Sequence, residues 1–521
     1  MPHVVTQACC GDASCVYACP VNCIHPTPEE PDFGIAEMLY IDPSTCVDCG
    51  ACVSACPVGA IVPGHRIPAG QERFTDINAA QYGADATDVF SAARFPVDPA
   101  YRLPLAPIDQ PRRLAVDGGM SVGIVGSGPS AMYAAEELLR YPQVSVTMYE
   151  RLDRPFGLAR FGVAPDHLAT RTVMRLFDDI AGNPRLEIRL NTHVGRDITL
   201  AQLRERHHGV IWAGGAPTDK PLDIPGIDRP GVTSATSFVG WYNDHPDFAD
   251  LDVTLTSPRV LVIGNGNVAL DVARILVSDP EALATTTISR RALAVLRASK
   301  VREVVVAGRR GPQHAAFTLP ELVGLIDSGT PVAVDPADLD DLPTPTDPTT
   351  RAKVELLREV AGRPVPDTPY IRLAFYTSPL EVVGDDAGAT GVRVGRNRLS
   401  ADGVVEPSGE TSVVDAGLVL TSVGYRGVAV PGLPFDDATG TIPHRAGRVI
   451  DPSAPDTTET TETTTPLPGV YVTGWIKRGP SGFIGTNKTD SAETVGSLLA
   501  DLEAGVLGAP HRTRRKLLAR R

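Results

Sequence analysis

From residue 120 onward the chain alternates short apolar runs with stretches of helical periodicity. Ser121–Val125, Val144–Tyr149, Leu186–Asn191 and Gly209–Ala213 are apolar runs of strand length, and the spacing predicts a helix over Arg171–Ile180. A second set follows at Arg259–Ile263, Val301–Ala307, Ile371–Tyr376, Gly391–Val394 and Leu418–Ser422, with a last run at Gly469–Thr473. Helical patterns fall at Ala269–Val277, near Lys353–Val360 and at Asp490–Glu503, where Asp490 or Ser491 is the expected cap. Strand–helix alternation predicts an α/β protein built on doubly wound, parallel sheets. Residues 1–65 lack the pattern. Residues 66–118 scatter six prolines (Pro68, Pro96, Pro99, Pro104, Pro107, Pro111) over little periodicity, and read as a linker that tethers the first segment to the rest. The Asp-, Pro- and Thr-rich stretch 335–370 reads as an insertion or flexible excursion, and Thr457–Pro468 as a mobile surface loop.

Two of the strands run into glycine-rich turns. Ser121–Val125 enters Gly126-Ser127-Gly128-Pro129-Ser130-Ala131, and a helix follows at once. Such a turn brings backbone N–H groups and the positive end of a helix dipole to a pyrophosphate with no side chain in the way. The next strand ends in Glu150, placed to bond a ribose hydroxyl. Arg259–Ile263 enters Gly264-Asn265-Gly266-Asn267-Val268-Ala269 in the same manner, 138 residues on, so two dinucleotides are expected. Here the following strand ends in Gly308-Arg309-Arg310. A pair of guanidinium groups at that point suits the 2′-phosphate of NADP through charge-assisted bonds, where an acid would have selected NAD.

All nine cysteines precede residue 57, in a chain of 521 residues with 42% apolar and 21% charged side chains. The opening MPHVVTQACC lacks the basic and apolar regions of an export signal, so a cytoplasmic setting is expected and a disulfide framework is not. No apolar run approaches the length of a membrane span. A net charge of −14 argues against nucleic acid as a main partner, the basic tail His511–Arg521 reading as a solvated terminus. Cys46-x2-Cys49-x2-Cys52-x3-Cys56-Pro57 has the spacing of the bacterial ferredoxin run. Ala18-Cys19-Pro20-Val21 recurs as Ala55-Cys56-Pro57-Val58, and at that offset of 37 Cys9 matches Cys46 and Cys15 matches Cys52. Asp12 falls where Cys49 sits. The repeat implies two cluster sites that exchange their last ligands. One takes Cys46, Cys49, Cys52 and Cys19 and holds a [4Fe-4S] cluster. The other offers Cys9, Cys15 and Cys56, and holds either a [3Fe-4S] cluster or a second [4Fe-4S] cluster completed by Asp12 or Cys10. Residues 1–65 contain seven acids and no Lys or Arg, which favours a basic electron-transfer partner.

The run Pro155-Phe156-Gly157-Leu158-Ala159-Arg160-Phe161-Gly162-Val163-Ala164-Pro165-Asp166-His167 resembles the flavin loop of the adrenodoxin-reductase-like ferredoxin–NADP reductases. The Gly474-Trp475 to Lys488 run is similar to the same family, and the cysteine module resembles the seven-iron ferredoxins, which also lose one thiolate and carry a non-ligating cysteine at the position of Cys23. The likeness spans roughly Met120 to Leu502. It implies a two-domain flavoprotein with Rossmann-like FAD and NADP domains, preceded by a small α+β ferredoxin domain. The expected division is residues 1–65, the linker 66–118, an FAD domain of 119–225 with 425–521, and an NADP domain of 226–424. The first turn (Gly126, Gly128, Pro129, Ala131) then binds FAD, with Glu150 on the ribose and Leu158 near the ring. Val194, which spacing alone reads as core, contacts the adenine end. Trp475 packs on FAD, and Gly482, Phe483 and Ile484 line the junction with the nicotinamide. Gly264, Asn265, Gly266, Asn267 and Val268 cradle NADP together with Arg309, Arg310 and Glu321. His167 and Asp271 meet at that junction, where a His–carboxylate pair positions the nicotinamide or relays a proton.

The implied activity is NADPH-dependent ferredoxin reduction. A hydride carries two electrons and a cluster takes one, so a flavin between them divides the pair. The expected external acceptor is a ferredoxin or another one-electron carrier such as a cytochrome. Three other readings use the same residues: an electron-input component of a larger oxidoreductase, an iron–sulfur sensor or carrier whose flavoprotein half is scaffold, and a fused module that binds a cluster-bearing partner rather than acting as the wire. Oligomeric state is not written in the chain.

Overall fold

A computed structural model describes residues 2–82, 113–116, 118–340, 342–364, 367–400, 403–451 and 466–508. The strands predicted from residue 120 onward form two sheets. The first has seven strands, in the order His444–Arg445, Arg448–Ile450, Pro466–Val472, Gly209–Trp212, Met120–Val125, Val144–Tyr149, Leu186–Arg189. From Pro466–Val472 onward its pairings are parallel. The second has six, all parallel: Val232–Ser234, Leu418–Thr421, Arg259–Ile263, Glu303–Ala307, Tyr370–Ala374, Val332–Val334. Each sheet is covered by helices whose apolar faces are buried, chiefly Pro129–Leu139 and Thr486–Glu503 on the first and Asn267–Val277 and Leu319–Asp327 on the second. Parallel strands buried on both faces read as continuous apolar runs, which is why they were visible in the sequence.

Several expectations change. Thr377–Asp385, Gly388–Leu399 and Val405–Asp415 form a separate antiparallel sheet of three strands, of which the pattern showed only Gly391–Val394. The stretch 335–370 is no loose excursion. Its helix runs Pro348–Ala361, is capped by Asp347, and buries Leu356, Leu357 and Val360 against the second sheet's core. The final helix begins at Thr486, a turn earlier than predicted, because Asp490 is spent elsewhere: its carboxylate accepts from Gly474 N at 2.6 Å and Thr473 Oγ1 at 2.9 Å and pairs with the buried Lys477. The glycine-rich 155–167 loop contains a short helix, Gly157–Phe161. Most of Thr457–Pro468 and all of His511–Arg521 lie outside the described residues, and Pro466–Pro468 opens a strand.

The cysteine-rich segment is built from the 37-residue repeat. Helices Ser14–Ala18 and Ala51–Ala55 are equal in length, each entered through a left-handed residue (Ala13 φ 58°, Gly50 φ 74°) and left through an extended cysteine, Cys19 or Cys56. His3–Val5 pairs with Ile61–Pro63, and Ile24–His25 with Tyr40–Ile41. What was expected as the start of a linker belongs to this unit. Helix Phe74–Ala80 places buried Asn78 across both strand pairs, its Oδ1 accepting from Ile41 N at 2.9 Å and Val5 N at 3.2 Å while Nδ2 donates to Val5 O. Prolines 96 to 111 lie outside the described residues.

One side chain inside the first sheet's packing titrates. His207 is 5% exposed, with its ring nitrogens at 2.7 Å from Ser121 Oγ and 2.9 Å from Tyr149 Oη. Burial, aided by Arg189 and Arg206, pushes its pKa down from 6.5 to about 4. The unfolded chain takes up a proton near pH 6.5 and the folded chain does not. The contribution is therefore complete above that pH and is lost as pH falls from 6.5 to about 4. Across that window the wild type loses about 3 kcal/mol relative to His207→Gln, as read from denaturant unfolding at a series of pH values.

Candidate active site and iron–sulfur centres

A cavity of about 910 Å3 runs between the two sheets along the carboxyl ends of their strands. On the first-sheet side it is lined by Gly126, Gly128 and Pro129 of the first turn, by Glu150, Leu158 and Val194, and by Trp475, Gly482, Phe483 and Ile484. Ala131 is not on its wall. It is fully buried in the helix, at the position where a small residue lets helix and strand approach. On the second-sheet side the wall holds Asn267, Val268, Asp271 and Glu321, with His167 between. Gly264, Asn265, Gly266, Arg309 and Arg310 lie off this cavity, at the adjacent carboxyl ends of the paired strands Arg259–Ile263 and Glu303–Ala307. Both arginines are exposed and neither side chain is ion-paired with another described residue.

The backbone of both turns suits a bound dinucleotide. Gly126 has φ 98°, and a Cβ there would stand 2.7 Å from Ala213 O; at Gly264 (φ 118°) it would run into Ser422 O. At Gly128 and Gly266, by contrast, nothing lies within 4 Å of the Cβ position, so the surface is bare backbone at the start of a helix. Glu150 is buried and already accepts from Ser127 N, Ser127 Oγ and Leu152 N, which ties the acid to the turn. A carboxylate retains lone pairs for a further donor. Trp475 packs at a tilt against Tyr425 with ring centroids 5.1 Å apart, and its Nε1 donates to Ser481 O.

His167 and Asp271 do meet: Nε2 stands 3.6 Å from Asp271 Oδ1 and 3.7 Å from Glu321 Oε1. Holding the three together is a residue that sequence reasoning missed. Arg274, 7% exposed, reaches Asp166 at 2.8 Å, Asp271 at 2.7 Å and Glu321 at 2.9 Å. Burial works against its charge, but the three carboxylates raise its pKa well above the ordinary value. Asp166, despite burial, is held below the usual carboxylate range by that guanidinium. Glu321 is pushed up to about 7, by burial first and then by Asp271. The cluster can thus carry an exchangeable proton beside His167. The available signal was spacing: Arg274 lies one helical turn from Asp271 and so on the same face.

The four cysteines assigned to the first cluster, Cys19, Cys46, Cys49 and Cys52, line one small cavity together with Cys23. Cys23 is buried, with Sγ 3.4 Å from that of Cys19. Cys9, Cys15 and Cys56 form the second group. Leu39 N donates to Cys9 Sγ at 3.5 Å and Ala60 N to Cys56 Sγ at 3.3 Å, and Cys9, Cys15 and Cys56 are close enough that ionising one opposes ionising the next. Burial pushes the Cys9 thiol up to about 12, so a metal's charge is what would make this group thiolate. Both donor sets fit iron–sulfur clusters in sulfur content and in N–H donors aimed at sulfur. Asp12 is otherwise occupied. It is buried, accepts from the Ser14 hydroxyl, and faces Lys488 at 3.9 Å. Cys9 and Cys10 also stand on the wall of the large cavity.

Two parallel sheets with dinucleotide-shaped turns around one cavity, with a cysteine module on its wall, define a flavoprotein oxidoreductase fused to an iron–sulfur carrier. Comparison with known proteins agrees. A 4Fe-4S binding domain model matches residues 39–62 and an NAD(P)-binding Rossmann-like domain model residues 124–188. The "Probable ferredoxin/ferredoxin--NADP reductase" of Mycobacterium tuberculosis is 50% identical over 518 residues, covering 98% of this chain and 85% of that protein. Its Mycobacterium leprae counterpart is 50% identical over 515 residues, covering 98% and 88%. The structure of Mycobacterium tuberculosis FprA in complex with NADPH superposes with a TM-score of 0.69 at 42% identity, covering 75% of this chain and 87% of that one. The chain belongs to the ferredoxin/ferredoxin–NADP reductase family, with an FprA-like two-domain flavoprotein fold behind a fused 4Fe-4S ferredoxin domain.

Among the described residues no helix is long and apolar enough to cross a membrane. Arg274→Met leaves three carboxylates facing one another without their counter-ion. Equilibrium unfolding at pH 8 should show a loss of about 3–5 kcal/mol, and the loss should shrink at pH 5.5, where Glu321 is protonated.

Proposed function

We propose that this reductase oxidises NADPH at the Asn267–Asp271 side of the large cavity, next to FAD held by the Gly126–Ala131 turn, and that single electrons leave through the two cluster sites to an external one-electron acceptor. The observation that carries the reading is that one cavity is walled by all three parts: both glycine turns' helices, the Trp475–Ile484 loop, and Cys9 and Cys10. When bound, FAD supplies a centre that accepts an electron pair and releases electrons singly, and the clusters supply one-electron carriers.

The chain's own residues have these roles. Gly126, Gly128 and Pro129 present backbone to the FAD pyrophosphate, with Ala131 letting the helix pack close and Glu150 on the ribose side. Leu158 and Trp475 flank the ring, and Val194 lies at the adenine end. Gly482, Phe483 and Ile484 close the junction against water. Gly264, Asn265, Gly266, Asn267 and Val268 cradle the NADP pyrophosphate, and Arg309 with Arg310 hold the 2′-phosphate. His167, supported by Asp271 and Glu321, orients the carboxamide end of the nicotinamide and holds the proton balance of the junction. Cys19, Cys46, Cys49 and Cys52 ligate a [4Fe-4S] cluster, and Cys9, Cys15 and Cys56 a [3Fe-4S] cluster. Support for three ligands is that Asp12, at the position matching Cys49, is engaged by Ser14 and Lys488. A ferredoxin or a cytochrome is the acceptor, in a cytoplasmic setting that keeps the thiols reduced.

Replacing Arg309 and Arg310 by Ala should collapse the preference for NADPH over NADH by at least about a hundredfold in kcat/KM. An unchanged ratio would place the 2′-phosphate elsewhere. Iron analysis should return about seven irons per chain with the paramagnetic resonance of an oxidised three-iron cluster. About eight irons and no such signal would transfer the fourth ligand to Asp12 or Cys10.

A further inference from the structure

The ferredoxin unit touches both halves of the reductase. Toward the first sheet, Gly485 N donates to Cys10 O at 2.8 Å and Lys488 Nζ to Ser14 Oγ at 3.0 Å. Toward the second, Arg73 pairs with Asp327 at 3.2 Å and Glu359 at 2.9 Å, and the Gln7 amide fills the space left by Gly324. The most consequential contact is Glu37. Its Oε2 accepts from Leu319 N at 2.6 Å, the first turn of helix Leu319–Asp327, and its Oε1 is paired with buried Lys353, which also donates to Phe317 O. A helix start leaves N–H groups without partners, and a carboxylate is the strongest acceptor for them.

That turn is not a remote one. Thr318, the residue before Leu319, donates its N–H to Asn267 Oδ1 at 2.8 Å and receives Asn267 Nδ2 at 3.2 Å. Two residues beyond Leu319 stands Glu321, beside His167 and Arg274. Glu37 and the nucleotide-facing residues Asn267 and Glu321 are therefore joined through one turn of helix and line the same cavity.

We propose that Glu37 is a positioning residue for the nicotinamide nucleotide. By capping this turn from the ferredoxin unit it holds Asn267 and Glu321 in their binding geometry, so that docking of the iron–sulfur unit and binding of NADP(H) strengthen each other. The proposal rests on the placement of the nucleotide given above. Because such coupling is reciprocal, it can be read from either end.

In the full-length holoenzyme, Glu37→Ala should raise the Kd for NADP+ and the KM for NADPH about fivefold, with kcat, iron content and the cluster spectra unchanged. Glu37→Gln keeps an oxygen for Leu319 N–H but turns its amide NH2 toward Lys353 Nζ, and should recover part of the affinity. In the unaltered protein, NADP+ should slow hydrogen exchange of the amides around residues 36–41. An unchanged or tighter Kd in Glu37→Ala, a Gln variant no better than Ala, or exchange indifferent to NADP+ overturns the proposal. The exchange measurement decides alone if the Ala variant loses its clusters. The arginine pair separates this from the placement of the nucleotide. If that placement is right and the coupling wrong, Arg309 and Arg310 still set the NADPH preference while Glu37→Ala has no effect.

Discussion

One buried guanidinium sets the geometry on which the site depends. Arg274 lies on the second sheet's helix Asn267–Val277, and Asp166 comes from the loop beyond the first sheet's strand Val144–Tyr149. Their pairing at 2.8 Å fixes the two halves of the cavity relative to each other. Asp271 and Glu321 complete the shell, and His167 stands 3.6 Å from the first and 3.7 Å from the second. A buried ion pair of this kind contributes less to net stability than to definition, since its desolvation offsets most of the attraction. Here definition is what matters, because the cavity is walled by two sheets that share no strand.

Much of this was legible in the residues. The parallel strands announce themselves as apolar runs, Arg259–Ile263 to the residue, and both glycine turns follow from the need for bare backbone at a helix start. The 37-residue repeat was legible too, and the equal helices Ser14–Ala18 and Ala51–Ala55 reproduce it. What stayed hidden are bonds between residues far apart in the chain. Asp490 looks like a helix cap until Gly474 and Lys477 claim it, and Glu37 and Arg274 look like solvated charges until their partners fold against them. In 335–370 the helix near Lys353–Val360 was legible, but not its earlier start at Pro348 or its packing on the second sheet's core, and the proline-rich 66–118 obscured the short helix whose Asn78 joins two strand pairs.

The same long-range bonds revise how the iron–sulfur unit relates to the reductase. A tether alone would supply effective concentration, with encounter and release at each turnover. The contacts of Cys10, Ser14, Glu37 and Arg73 instead seat the unit across both sheets, so the donor–acceptor geometry is fixed by packing. The acidic surface noted in the sequence divides accordingly. Glu37 and Asp12 face inward to lysines of the reductase, Glu30 and Asp48 pair with His25 and His3 of the module itself, and Glu29 stands exposed.

The bond between Gly485 and Cys10 joins residues 475 positions apart, and a side chain at 485 would collide with the backbone of Asp12. Any residue larger than glycine at 485 would therefore break this bond and push Cys10 and Asp12 off the start of the final helix, carrying the cysteine module away from the cavity wall.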